Sequence, residues 1–143
     1  MSALPVVAVT ANPHFARLGG EGAVQRLAEA FYAAMDTRAD ARAIRAMHAA
    51  DLAPMRAVLV TYLVEWLGGP KRYSAERGAP KLGRVHRPFP IDDAARDAWL
   101  ACMRQALDET CGDAALRDEL MAAFSKVANH LARHPTDSTH RSP

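Results

Sequence analysis

Residues that build sheets are scarce in this sequence. Valine and isoleucine together supply 11 of 143 positions, against 30 alanines. Strands favour β-branched side chains, whereas helices favour alanine, which loses no rotamer freedom, so the balance argues against an all-β domain. Cysteine is nearly absent. Cys102 and Cys111 are too few for a disulfide framework or a four-ligand zinc site, and their place on or near one expected helix reads as reduced thiols of a cytoplasmic protein. Neither sign of charge dominates: 18 basic residues face 16 acidic ones, a formal +2, which gives no field that implies nucleic acid or an anionic membrane as partner. The longest apolar run, Ala57 to Leu67, is interrupted by Glu65 and is far too short to span a bilayer. The apolar stretch from Ser2 to Ala11 has no Lys or Arg ahead of it and carries Pro5, a poor signal peptide. No P-loop, dinucleotide glycine fingerprint, HExxH or nucleophile elbow is present, so hydrolase and kinase chemistry is unsupported and no catalytic residue is assigned.

What is there is a chain of one-domain size, 50% hydrophobic and 24% charged, a composition that excludes disorder. We expect an all-α domain over 14–134, a flexible leader over 1–13 and a disordered tail over 135–143. A short helix over His14 to Leu18 stops at Gly19-Gly20, since glycine tolerates the left-handed turn that ends helices. The next, Glu21 to Asp36, carries Val24, Leu27, Phe31 and Met35 at helical spacing. A short Arg-rich helix over Asp40 to Met47 follows. Asp51 is placed to cap a helix with Pro54 in its first turn and a wide apolar face, ending at Gly68-Gly69-Pro70. Asp92 or Asp93 caps a helix to Glu109, and a last helix runs from Asp113 to Arg133, ended by His134-Pro135.

Residues 70–90 break the pattern. Lys71, Arg72, Arg77, Lys81, Arg84 and Arg87 crowd a segment punctuated by glycine and proline, and irregular loops of this length are usually functional. Charge alone leaves open a solvated loop or a site for phosphate, nucleic acid or carboxylates. His86, followed by Pro88-Phe89-Pro90-Ile91, reads as a surface histidine or as a metal or cofactor ligand. Tyr32 and Trp99 read as ordinary aromatic core, and His48 as a ring beside a turn.

A further pattern is specific. Gly19-Gly20, Arg26 with Phe31-Tyr32, Trp66-Leu67-Gly68-Gly69-Pro70, Tyr73-Ser74, Arg77-Gly78, His86, Pro88-Phe89 and Ile91, then Arg96-Asp97-Ala98-Trp99-Leu100 and Cys102-Met103 follow one another. In this order they resemble the truncated haemoglobins of group II, from about Phe15 to Leu131; the blocks HxPFxI and RDAWLxCM carry most of the likeness. The resemblance implies a globin-like two-over-two helical sandwich around one haem b. It makes His86 the proximal ligand to the iron, the metal site. Tyr73, Arg77, Lys81 and Arg84 become candidates to meet the haem propionates, and Leu59, Tyr62, Leu63, Phe89 and Met103 to line the ring. On the distal side it places Tyr32, His48 and Trp99 as hydrogen-bond donors, with Met55 at the ligand gate. His48 is then expected to hydrogen-bond the ligand or to coordinate the iron itself.

The function this implies is reversible binding of O₂, and of NO or CO, with slow release and redox chemistry of O₂, NO or peroxide rather than bulk transport. An activity resembling that of an NO dioxygenase or a peroxidase would need an unidentified reductase. The alternatives are a haem-based gas sensor, an electron-transfer module and a haem-free helical interaction module. A monomer or weak homodimer is expected.

Overall fold

A computed structural model describes residues 14–78 and 91–140, with side chains as far as 132. The leader, the candidates Lys81, Arg84, His86 and Phe89, and the last three residues lie outside the described residues. Among those described there is no strand, and the elements run as α1 (His14–Leu18), α2 (Glu21–Thr37), a 3₁₀ turn (Ala39–Ala41), α3 (Arg42–Ala46), α4 (Ala53–Trp66), α5 (Arg72–Arg77), α6 (Asp93–Thr110) and α7 (Ala114–His140).

Helix ends follow from local chemistry. The Asp92 carboxylate accepts the Ala95 N–H at 2.8 Å, and Asp113 accepts the Leu116 N–H at 3.1 Å, each satisfying one of the orphan donors of a first turn. Asp51 also accepts a backbone N–H, that of Ala53, although Leu52 holds the position before α4. Two expectations change. The segment after Pro70 contains a six-residue helix, α5, where the sequence suggested only irregular chain. The last helix runs to His140, past the end expected at His134-Pro135, so residues 135–140 of the expected tail are helical. A proline inside a helix forfeits one backbone bond and strains the preceding turn without always stopping it.

The apolar stripes meet as the spacing suggested. Val24, Leu27, Phe31 and Met35 of α2 are buried together with Leu63, Val64 and Leu67 at the end of α4, Cys102, Met103 and Leu107 of α6, and Leu116, Leu120 and Phe124 of α7. Helix α2 packs on α4, α6 packs on α7, and α2 crosses α6 to join the two pairs. Core side chains this well covered are each worth about 1.5–3 kcal/mol of burial.

The end of α4 is held closely. The Phe15 N–H donates to the Leu67 carbonyl at 2.8 Å, and the Gly69 N–H donates to the Val64 carbonyl at 2.8 Å. Gly69 is pressed so tightly that a Cβ there would lie 2.9 Å from both the Phe15 ring and that carbonyl. Gly68 turns the chain with φ 103°, a conformation open to glycine at little cost. This corner fixes where α5, and the chain that leads toward His86, departs from the helical frame.

Candidate functional site

Helix α2 buries its stripe against the core, and Tyr32, one residue beyond Phe31, sits at the stripe's edge. The Tyr32 ring is 5% exposed and meets Phe31 edge-on at 5.0 Å. Phe31 in turn lies 5.2 Å from Trp99 of α6, and Trp99 lies 5.6 Å from Phe124 of α7. His48, just after α3, meets the Tyr32 ring at 5.9 Å. The residues expected on the distal side, Tyr32, His48 and Trp99, thus share one aromatic cluster with Phe31 at its centre.

Hydrogen bonding separates these residues. Among the described residues neither the Tyr32 hydroxyl nor the Trp99 indole N–H has a hydrogen-bond partner, and none of their fully buried side-chain N or O atoms is left unpaired. Neither donor is therefore sealed without a partner inside packed core. His48 differs: its Nδ1 lies 2.8 Å from the Ile44 carbonyl oxygen. A carbonyl only accepts, so Nδ1 carries the proton, and in the neutral ring Nε2 presents a lone pair. Neutral His48 is an acceptor; only its protonated form offers a second N–H.

Burial pushes the Tyr32 hydroxyl up to about 12, partly opposed by the nearby Arg56 guanidinium. Burial also pushes Tyr62 up to about 12, helped by Tyr73 and Glu65. Both phenols thus stay neutral donors well above neutral pH. An unfolded tyrosine ionises near 10; the folded values are higher, so their contribution to stability is complete below about pH 10 and is lost as pH rises through about 12. An alkaline unfolding series should show stability falling across that window, and Tyr32→Phe and Tyr62→Phe should each flatten the fall. A fall of equal steepness in both variants would contradict it.

The expected ring-lining residues divide. Leu59 and Tyr62 of α4 are partly buried and retain free surface. Leu63 and Met103 are covered to 1% and 0% exposure. Tyr73 of α5 is buried and meets Tyr62 edge-on at 5.7 Å. Arg77, in the last turn of α5, is exposed with no ion-pair partner among the described residues. Met55, in the first turn of α4, is 44% exposed. Sequence reasoning missed three contributors: Phe31 as the hub of the cluster, Arg56 beside Tyr32, and Glu65, which accepts both the N–H and the hydroxyl of Ser74. A carboxylate interrupting the longest apolar run was the available signal for the last.

The bacterial-like globin family matches residues 14–133. The group 2 truncated haemoglobin of Bacillus subtilis is 31% identical over 123 residues, 86% of this chain and 90% of that protein. This chain belongs to the group II truncated haemoglobins. A solved group II 2-on-2 haemoglobin from Agrobacterium tumefaciens superposes with a TM-score of 0.79 at 41% identity, covering 82% of this chain and 91% of that one. A truncated haemoglobin from Bacillus subtilis, described as oxygen-avid, superposes with a TM-score of 0.75 at 30% identity, covering 84% and 98%. The helix pairs α2–α4 and α6–α7 are the two layers of the two-over-two fold.

Membership of the truncated haemoglobins implies a haem cofactor and diatomic gas ligands. The described residues fit such a group: α4 offers apolar surface at Leu59 and Tyr62, and Tyr32 and Trp99 carry donors that have no hydrogen-bond partner among the described residues. No cluster of three or more His, Cys, Asp or Glu that could hold a metal occurs among the described residues. Cys102 and Cys111 are free and buried, and burial pushes the Cys102 thiol up to about 11, which makes it a poor nucleophile. No described helix is long and apolar enough to cross a membrane.

Proposed function

We propose that this truncated haemoglobin carries one haem b on His86 and holds O₂, and NO or CO, with slow release, serving O₂, NO or peroxide redox chemistry. The observation that carries the reading is the pair of unpartnered donors, the Tyr32 hydroxyl and the Trp99 indole N–H. When bound, the haem supplies the iron that takes the diatomic gas and polarises it. The Tyr32 hydroxyl and the Trp99 indole N–H would be the donors offered to that gas. A hydrogen bond to a charged acceptor is worth about 1.5–3 kcal/mol, roughly ten- to hundred-fold in release. Tyr73 and Arg77, with Lys81 and Arg84, provide donors for the propionates. Likeness to a haemoglobin described as oxygen-avid supports slow release in particular. Turnover calls for an electron source, which we assign to a separate reductase.

A second reading rests on His48. Its Nε2 lone pair, beside Tyr32, could itself bind iron, as could Tyr32, and either would turn the function toward electron transfer or gated sensing. The absorption spectrum of the dithionite-reduced protein, followed by O₂ release in stopped flow, separates the two. A five-coordinate ferrous spectrum with slow release is expected; a six-coordinate one would overturn the open-pocket reading.

A further inference from the structure

Glu65 stands in the wrong place for the helix that bears it. It lies in the last turn of α4, where a negative charge opposes the helix dipole, and it interrupts an otherwise apolar run. Its carboxylate instead serves α5. Oε1 accepts the Ser74 backbone N–H at 2.8 Å, and the other oxygen accepts the Ser74 hydroxyl. These bonds and the nearby Lys71 hold the carboxyl below the ordinary glutamate value.

Helix α5 has little else to fix it. It is six residues long, and the residue before it, Lys71, makes no side-chain cap; so short a helix does not persist on its own. Its other ties among the described residues are the Tyr62–Tyr73 ring contact and the Arg72 to Glu21 ion pair. Both residues of α5 assigned to the cofactor flank the clamp: Tyr73 immediately before Ser74, and Arg77 one turn after it.

We propose that Glu65 is a positioning residue for cofactor retention: by capping α5 from the end of α4 it fixes Tyr73 and Arg77 where they meet the haem propionates. This rests on the haem reading above. The residue touches neither the iron nor the gas, and acts only through the placement of α5. One orphan backbone N–H at the start of α5 and the Ser74 hydroxyl find their acceptor in one side chain, so a single substitution removes both bonds.

The test has two arms. In the first, backbone hydrogen exchange is followed in the haem-free protein for Glu65→Ala, Glu65→Gln and Ser74→Ala. Exchange at Ser74 and its α5 neighbours should rise at least about tenfold in Glu65→Ala, the equivalent of about 1.4 kcal/mol of lost protection, with α6 and α7 unchanged. Glu65→Gln, which keeps an acceptor oxygen, should restore most of it. In the second arm, haem transfer from the ferric holoprotein to an acceptor apoglobin should accelerate at least about tenfold in Glu65→Ala. The Glu65→Ala/Ser74→Ala pair should be no faster than Glu65→Ala alone, because both remove one interaction. Unchanged α5 exchange in Glu65→Ala overturns the proposal, as does haem loss that rises only in proportion to a global loss of stability. A wild-type protein that takes up no haem overturns the reading of function instead, a result the first arm does not share.

Discussion

Replacing His86 with alanine should leave a folded protein that no longer retains haem. Holding the iron falls to one imidazole in this reading, and the described histidines offer no substitute on the same side: His14 engages Glu119, His130 is exposed on α7, and His48 lies against Tyr32 on the distal side. Removing even an outer partner of a metal ligand costs roughly 10–100-fold in affinity, and removing the ligand itself should cost more. Haem content after reconstitution should therefore drop at least about tenfold, and added imidazole should restore it by filling the space the side chain leaves. The helical circular dichroism of the haem-free variant should match that of the haem-free parent, separating loss of a ligand from loss of fold. Undiminished haem content in His86→Ala would remove His86 from the iron.

Trp99→Phe should speed O₂ release by at least about tenfold, the lower end of what one good donor to a charged acceptor is worth. The substitution is a narrow one. A phenyl ring keeps an aromatic face toward Phe31 and Phe124 but is smaller than indole, so besides the N–H it removes some packing, and a modest loss of thermal stability is expected. Tyr32→Phe removes the other donor in the same manner. If the two donate to one gas molecule, the double variant should release it faster than either single one, with effects that do not simply add, since the groups share a ligand. A release rate unchanged in Trp99→Phe would place the hydrogen bonding on Tyr32 alone.

The helices were legible because their buried faces are written at a spacing of three and four: Val24, Leu27, Phe31 and Met35 on α2, and Leu116, Leu120 and Phe124 on α7, are all buried as that spacing requires. Helix α5 was not legible. Its six residues carry Arg72, Glu76 and Arg77 and only one buried side chain, Tyr73, so there is no periodic stripe to read; the acceptor for its Ser74 N–H is Glu65, nine positions earlier. The distal role proposed for Tyr32 and Trp99 came only through the family pattern, since both lie beside apolar stripes as ordinary core aromatics do. The state of His48 was beyond any pattern, for its tautomer is set by the Ile44 carbonyl four residues earlier.

The ring of Phe124 has a spectroscopic consequence. Both tryptophans of the chain rest on it, Trp66 stacked at 4.7 Å and 25° and Trp99 tilted at 5.6 Å and 64°. Intrinsic tryptophan emission from this protein consequently surveys one small volume where α4, α6 and α7 converge. The same ring holds both indoles in fixed, chiral orientations, so near-ultraviolet dichroism reads the docking of α7 rather than an average over the fold.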